Sequence, residues 1–141
     1  MNIEWKDISP LPPLSIDSVQ PGVAGPFDGM HGKTLIVAGG ANFPGAMPWH
    51  GGNKVYHTEI YLLNLPSAIE DWKTVQGGEG LPRPVAYGAS ASVSAGLVCM
   101  GGETETGMTD EVFIISVAGG KPLITPLPPL PVLLSGAAAA S

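Results

Sequence analysis

The sequence has little of three things: cysteine, basic residues and uninterrupted apolar runs. Its single cysteine, Cys99, excludes an internal disulfide and a cysteine-rich metal site. Six basic residues are scattered among twelve acidic ones, for a formal charge of −6, so the basic stripe of a nucleic-acid-binding surface is absent. Glycine and proline interrupt the apolar stretches well short of the ~20 residues that a membrane-spanning helix needs. We therefore expect neither nucleic acid nor membrane as a partner.

Signals for export and for metal binding are also missing. The first residues carry acidic side chains where a secretory signal carries basic ones, which predicts a cytoplasmic location for the chain as it stands. A periplasmic location of relatives stays open. The three histidines lack the spacing of a zinc site, and no group of aspartates resembles a calcium loop. We expect no metal and no organic cofactor.

Glycine, proline and apolar residues, by contrast, are abundant. The 20 glycines and 15 prolines make helices costly, because glycine adds entropy to the unfolded chain and proline removes a backbone donor. A hydrophobic content of 44% nevertheless argues for a buried core. Short strands joined by many turns satisfy both conditions, so the sequence predicts an all-β fold.

Four landmarks recur in the same order along the chain. They are an apolar strand ending in Gly-Gly (residues 34–40 and 96–102), a strand of acidic-apolar-aromatic-apolar form (59–63 and 111–115), a Leu-Pro pair (81–82 and 130–131) and a strand of small residues (22–25, 86–92 and 135–138). The two Leu-Pro pairs are 49 residues apart, close to the roughly 50-residue kelch period. This order favours a kelch-type β-propeller, in which each blade is a four-stranded antiparallel sheet.

The landmarks also predict how the chain is divided into blades. Residues 21–80 are expected to form the first blade, residues 81–129 the second, and residues 130–141 the inner strand of a third. Residues 1–20, with a strand from Trp5 to Ile8, are interpreted as an outer strand that closes the last blade. We therefore expect a partial propeller whose partners are the missing blades or further copies of the chain.

One face of such a propeller should collect the residues that carry chemistry, because the loops before each inner strand and after each diglycine open on the same side. Glu103 directly follows the second diglycine and is the candidate general acid or base. A solvated loop acid is the alternative, since Glu105 lies alongside. Arg83, held between Pro82 and Pro84, is the candidate partner of a substrate carboxylate. A structural contact with the next blade is its alternative.

The first blade carries ten extra residues in the loop after its diglycine. This insert, residues 41–57, offers amides, aromatic rings and imidazoles, which suit stacking on and hydrogen bonding to a sugar-sized ligand. The candidate binding residues are Asn42, Phe43, Trp49, Asn53 and His57. The alternative is a long loop that packs on itself.

Four segments of the chain resemble the sialic acid mutarotases, also called N-acetylneuraminate epimerases, a kelch family with six blades. The segments are residues 22–27, 35–45, 83–88 and 101–104. Their N-terminal position resembles the circularly permuted members. The resemblance implies interconversion of the α and β anomers of N-acetylneuraminate without a cofactor. One carboxylate would move the proton while an arginine neutralises the carboxylate of this sugar acid.

The resemblance also implies where the catalytic pair should lie. Linear members carry Gly-Glu followed a few residues later by Arg-Thr-Asp; here Glu103 and Thr109-Asp110 match, but Met108 takes the arginine position. This implies a sister blade of the catalytic one, a catalytic pair beyond residue 141, and a fragment that is inactive alone. The alternatives are a kelch propeller that binds a partner protein without catalysis, and a radical copper oxidase of the galactose oxidase type, for which Cys99 is poorly placed.

Overall fold

The computed structural model describes residues 2–5, 7–15, 18–65 and 71–141, which form short strands and two single turns of 3-10 helix, Pro48–His50 and Gly77–Glu79. The strands in chain order are β1 (Phe27–His31), β2 (Thr34–Ala38), β3 (Ala41–Asn42), β4 (Val55–Tyr56), β5 (Ile60–Asn64), β6 (Lys73–Val75), β7 (Ala89–Val93), β8 (Gly96–Met100), β9 (Glu103–Thr104), β10 (Gly107–Met108), β11 (Val112–Ala118) and β12 (Lys121–Leu127). Within these ranges, no helix has the length and apolar character needed to cross a membrane.

Eight of the strands form two four-stranded antiparallel sheets, which we call blade 1 and blade 2. The strand order is β1-β2-β5-β6 in blade 1 and β7-β8-β11-β12 in blade 2. The remaining strands form two short hairpins, β3 with β4 and β9 with β10, each inserted between the second and third strands of its blade. The prediction of an all-β, incomplete kelch-type propeller is confirmed.

Alternation of buried side chains along the middle strands explains why these segments form sheets. Successive side chains of a strand point to opposite faces, so one apolar residue in two can face the core. The buried pairs are Ile36 and Ala38, Leu97 and Cys99, and Phe113 and Ile115. Burial of each large aliphatic side chain contributes roughly 1.5–3 kcal/mol. One continuous core therefore joins the two blades.

The core is closed by an aromatic contact between the blades and contains the single thiol. Phe27 of β1 meets Phe113 of β11 edge to face, with ring centroids 5.5 Å apart.

Cys99 is fully buried in the same cluster, and this burial raises the pKa of its thiol well above the ordinary value. The thiol therefore stays protonated and contributes to the packing of the core.

Serine hydroxyl groups of blade 2 form hydrogen bonds with the backbone of β1 along the edge where it has no neighbouring strand. The backbone N–H groups of Asp28 and Met30 donate to the side-chain oxygens of Ser90 (3.2 Å) and Ser92 (2.8 Å), and the Ser90 hydroxyl donates back to the Asp28 carbonyl (2.9 Å). An edge strand that lacks a neighbouring strand needs such partners for its buried backbone groups. The serines thus replace a fifth strand between the blades.

The loops of the two blades are hydrogen-bonded in the same way, which shows that the sequence repeat is a structural one. In blade 1 the bonds run from Gly40 N to Val85 O (2.8 Å), from Val85 N to His57 O (3.3 Å) and from Leu81 N to Thr58 O (2.7 Å). The matching bonds in blade 2 run from Gly102 N to Leu134 O (2.7 Å), from Leu134 N to Thr109 O (3.2 Å) and from Leu130 N to Asp110 O (2.8 Å). Residues 130–134 therefore meet blade 2 as residues 81–85 meet blade 1.

The inner strands begin later than the small-residue segments predicted. Blade 1 has its inner strand at β1 rather than at residues 22–25, and Ala24 forms only an isolated bridge with Ala41. Positive φ angles at Gly22 (83°) and Gly25 (58°) break the extended conformation in that segment. In blade 2 the strand β7 likewise starts three residues after Ala86.

The strands expected near both ends of the chain do not form in the described residues. Residues 2–5 and 7–15 contain no strand, and Trp5 is 93% exposed. Trp72 Nε1 donates a hydrogen bond to the Ser9 carbonyl (2.8 Å), which ties this segment to blade 1. Lys6, Ile16 and Asp17 lie outside the described residues. Residues 135–138 also form no strand.

Candidate functional site

Glu103 is held firmly by the backbone of blade 2. It is the first residue of β9, where it exchanges two hydrogen bonds with Ala86 (2.7 and 3.0 Å) and lies opposite Met108 of β10. The equivalent position in blade 1 is Ala41, the first residue of β3, which pairs with Ala24 in the same way. Of these two matching hairpin positions, only that in blade 2 carries a carboxylate.

The insert of blade 1 supplies two partners for the Glu103 carboxylate. Its Oε1 atom accepts hydrogen bonds from Lys54 Nζ, at 2.9 Å, and from the Tyr56 hydroxyl. Lys54 and Tyr56 are two residues apart in extended backbone, so their side chains leave the same face of the hairpin. About a third of the Glu103 side chain remains exposed, so a ligand hydroxyl can reach the carboxylate.

Two aromatic rings enclose the ammonium group of Lys54. Its Nζ atom lies 4.8 Å from the ring centroid of Tyr56 and 4.7 Å from that of Tyr87. Both distances are within the range of cation–π attraction, which adds to the ion pair with Glu103. We call Lys54, Tyr56, Tyr87 and Glu103 the Glu103 cluster. It joins the insert of blade 1 to the diglycine loop and the entry segment of blade 2.

The cluster fixes the protonation states of its members. Hydrogen bonds from Tyr56 and then Lys54 hold the pKa of Glu103 below its ordinary value. Hydrogen bonds with Tyr56 and Glu103 raise the pKa of Lys54, and burial raises that of Tyr56. At neutral pH the group therefore consists of a carboxylate, an ammonium and a neutral phenol. Such a set can accept a proton or stabilise a developing positive charge.

Arg83 lies beside the same hairpin but already has a partner. Its Nη2 atom is 2.8 Å from Glu111 Oε1, and half of its side chain is exposed. With Pro84 it lines an open groove of about 250 Å³ whose other wall is the turn of the β9–β10 hairpin, residues 104–106. Glu111 belongs to the second blade, like Arg83 itself, so this ion pair is not the predicted contact with the next blade, and the exposed donors leave room for an anion.

Asn42 and His57, two of the predicted binding residues, are engaged with each other. Asn42 Nδ2 donates to the Gly22 carbonyl (2.8 Å), and its Oδ1 lies 2.8 Å from His57 Nε2. His57 Nδ1 is in turn 3.3 Å from the buried Oε2 of Glu59, an ionic contact without hydrogen-bond geometry. These contacts tie the two ends of the insert to blade 1. For Asn42 and His57 they favour the alternative of a loop that packs on itself.

The structure places the remaining predicted residues in different surroundings. Phe43 is half-buried and lines a shallow groove with Val23 and Met47. Trp49 is 71% exposed and touches the ring of His50 edge to face. Asn53 is exposed.

Sequence reasoning missed Lys54 and Tyr56 as partners of Glu103, and Tyr87 as a partner of Lys54. A signal for Tyr87 was present: the equivalent positions, Gly25 and Gly136, are glycines. Within the described ranges, no group of three or more histidine, cysteine, aspartate or glutamate side chains is placed to hold a metal ion.

Comparisons with known proteins point to one family. The family model for N-acetylneuraminate epimerase matches residues 1–124. An N-acetylneuraminate epimerase of Brucella suis is 39% identical over 125 residues, covering 82% of this chain and 30% of that protein. One of Vibrio cholerae is 35% identical over 129 residues, covering 84% and 32%. The solved structure of YjhT superimposes with a TM-score of 0.70 at 29% identity, covering 86% and 34%. The chain thus spans about a third of the length of these relatives.

Proposed function

Since this chain belongs to the N-acetylneuraminate epimerase family, we propose that it carries part of the face that binds N-acetylneuraminate and takes part in interconverting its α and β anomers. The observation that carries the proposal is the Glu103 carboxylate, held at a loop on the ligand face by Lys54 and Tyr56. An exposed carboxylate with fixed neighbours is the group that this reaction requires.

The reaction needs two proton transfers and no cofactor. A base removes the proton of the anomeric hydroxyl while the ring oxygen is protonated, and the bond between the anomeric carbon and the ring oxygen breaks to give the open keto form. Closure on the other face of the carbonyl reverses both transfers, so atoms and electrons balance. In the proposal Glu103 accepts the proton of the anomeric hydroxyl and returns it to the ring oxygen, and Lys54 neutralises the carboxylate before and after this transfer.

Arg83 is proposed to bind the carboxylate of the sugar acid. Its guanidinium carries five donors in a planar fork, which can contact Glu111 and a second anion at once. The groove between Arg83 and residues 104–106 lies next to the hairpin that carries Glu103. Trp49 and Phe43 add aromatic surface on the same loops, and Asn53 adds an exposed amide. We keep these three as proposed contacts.

NMR spectroscopy of the 141-residue chain tests the proposal. Addition of N-acetylneuraminate should shift the resonances of Glu103, Lys54 and Arg83 with saturation, and Glu103→Gln should weaken or abolish this effect. Glu79→Gln is the control, because Glu79 is an exposed acid that does not line the groove beside Arg83. Unchanged resonances at saturating sugar acid, or equal effects of the two substitutions, would reject the proposed site.

Exchange spectroscopy on the same samples measures the rate of anomer interconversion. We propose that the chain alone binds the sugar acid but is inactive, because it spans about a third of the length of its relatives. Interconversion that is faster than in buffer alone would contradict this part of the proposal, while leaving the assignment of the substrate intact.

A second candidate, recognition of a partner protein through the same loops, rests on exposed apolar side chains. Met47, Trp49 and Met108 on the two hairpins are 47%, 71% and 54% exposed. Aromatic residues and methionine are enriched where proteins bind proteins. Met47→Ala should reduce such binding while leaving the sugar-dependent shift of Glu103 in place.

We also propose that further blades, or a second copy of the chain, cover the outer surface of blade 2. Leu123 of β12 and Val132 and Leu133 after it are 60%, 61% and 55% exposed. Apolar surface of this kind associates in water. Sedimentation of the chain at increasing concentration should show self-association, and Leu133→Asp should reduce it; a strictly monomeric chain at high concentration would contradict the proposal.

A further inference from the structure

Tyr87 occupies a backbone conformation that the repeat otherwise gives to glycine. Its φ angle is 59°, and within the described residues it is the one non-glycine residue with positive φ. The equivalent residues of the neighbouring repeats, Gly25 and Gly136, have φ angles of 58° and 67°. A non-glycine side chain at such a position costs on the order of 1 kcal/mol and persists where something else depends on it.

Backbone hydrogen bonds force this conformation irrespective of the side chain. Tyr87 N donates to the Gly25 carbonyl (2.7 Å), and Gly136 N donates to the Tyr87 carbonyl (2.8 Å), so each repeat passes the same bond to the next. A glycine at position 87 would make both bonds without strain. The tyrosine side chain must therefore have a purpose other than the fold of this turn.

The ring of Tyr87 packs against Gly25 and faces a cation. A Cβ atom at Gly25 would lie 2.4 Å from Tyr87 Cδ1, so the ring packs directly on the glycine backbone. Lys54 Nζ is 4.7 Å from the ring centroid and 2.9 Å from Glu103 Oε1. The ring is thus a fixed surface under the ammonium that holds the carboxylate.

We infer that Tyr87 is a positioning residue of this site, which acts through Lys54 to hold the Glu103 carboxylate in place. The importance of Tyr87 for the reaction rests on the proposed function. The effect of Tyr87 on Glu103 through Lys54 can be tested independently of that function. The titratable groups that face Glu103 and Lys54 are Tyr56 and Tyr87, one from the insert and one from the entry segment of blade 2. Removal of the Tyr87 ring should free the ammonium and loosen the carboxylate.

The test is a carbon NMR titration of the Glu103 side-chain carboxyl in the full 141-residue chain, compared among wild type, Tyr87→Gly and Tyr87→Phe. Tyr87→Gly removes the ring but keeps the backbone that the repeat prefers, and Tyr87→Phe keeps the ring face. We expect the titration midpoint of Glu103 to rise in Tyr87→Gly and to stay near that of wild type in Tyr87→Phe. Affinity for N-acetylneuraminate should fall roughly two- to fivefold in Tyr87→Gly, the loss typical of a partly exposed cation–π contact.

Gly25→Ala provides a second variant, because its Cβ would displace the ring without removing it. It should move the Glu103 midpoint in the same direction as Tyr87→Gly. An unchanged midpoint in folded Tyr87→Gly, or an equal shift in Tyr87→Phe, would overturn the inference. Failure of Tyr87→Gly to fold would also overturn it, since the ring would then serve the fold. If the titration midpoint of Glu103 moves as expected while neither the wild-type chain nor any variant binds the sugar acid, the proposed function is rejected and the positioning role of Tyr87 stands.

Discussion

Blade 1 and blade 2 share a backbone plan but differ in what their hairpins carry. In both, the hairpin after the diglycine starts on a residue bridged to the entry segment, Ala41 in blade 1 and Glu103 in blade 2. Blade 1 adds the long insert that ends in Lys54 and Tyr56, and this insert reaches over to the carboxylate of blade 2. The repeat therefore supplies the scaffold, and departures from it supply the site.

The largest difference in stability effects between the blades is expected at the first glycine of each Gly-Gly pair. Gly39 and Gly101 have φ angles of 66° and 62°, and an added Cβ would lie 2.5 Å from Val85 O and 2.3 Å from Leu134 O. Val85 is buried, whereas Leu134 is 37% exposed and can move away. We predict that Gly39→Ala lowers the free energy of unfolding by about 3 kcal/mol, and Gly101→Ala by about half as much.

Urea unfolding measures both changes, with Gly45→Ala as control because a Cβ there meets open space. Equal losses at Gly39 and Gly101 would mean that residues 130–134 are held as rigidly as residues 81–85.

A smaller difference is expected where blade 1 reaches across to blade 2. His31 Nδ1 accepts the backbone N–H of Val117 at 2.8 Å, while the equivalent residue of the repeat in blade 2 is the partly exposed Val93. Removal of a lone acceptor leaves a half-buried donor unsatisfied, so His31→Ala should cost about 1–2 kcal/mol. Val93→Ala should cost clearly less. Urea unfolding monitored by tryptophan fluorescence compares the two losses in unfolding free energy. A loss in His31→Ala no greater than that in Val93→Ala would show that the bond between the blades contributes nothing.

The sequence was sufficient for the middle strands because their signal is local. The runs before each diglycine and the acidic-apolar-aromatic segments correspond to β2, β8, β5 and β11 within three residues. The inner strands were placed too early, since small residues suit both a crowded strand and a turn, and the φ angles of Gly22 and Gly25 decide for the turn.

The site was predicted only in part because its contacts join the two blades. Glu103 could be selected from its position after a diglycine, but Lys54 and Tyr56 meet it only once the insert folds over blade 2, across nearly fifty residues of sequence. Asn42 and His57 are selected as ligand contacts from composition, and that role stays a prediction, while their side chains lie within hydrogen-bond distance of each other. Composition alone cannot distinguish these two uses of a polar side chain.

The cluster also predicts a pH dependence that the hairpin of blade 1, with Ala41, cannot show. Because the pKa of Glu103 is lowered on folding, its contribution to stability is present at neutral pH and disappears as pH falls below the ordinary value of 4.5. The raised pKa of Lys54 preserves its contribution up to the ordinary value of 10.5. The difference in unfolding free energy between wild type and Glu103→Gln should therefore be constant between about pH 6 and 9 and shrink in acid. Urea unfolding across this range measures it, and a difference that grows in acid would contradict the assignment.

The claim that blade 1 holds the carboxylate of blade 2 is tested most directly by a double-mutant cycle in unfolding free energy. Lys54→Met and Glu103→Gln, alone and together, should show a favourable coupling of about 0.5 kcal/mol, the range for partly exposed ion pairs. The pair of Lys121 and Glu79, 3.9 Å apart and about 70% exposed, also joins the blades and should show a coupling near zero. Strictly additive effects of the substitutions at Lys54 and Glu103 would contradict the account.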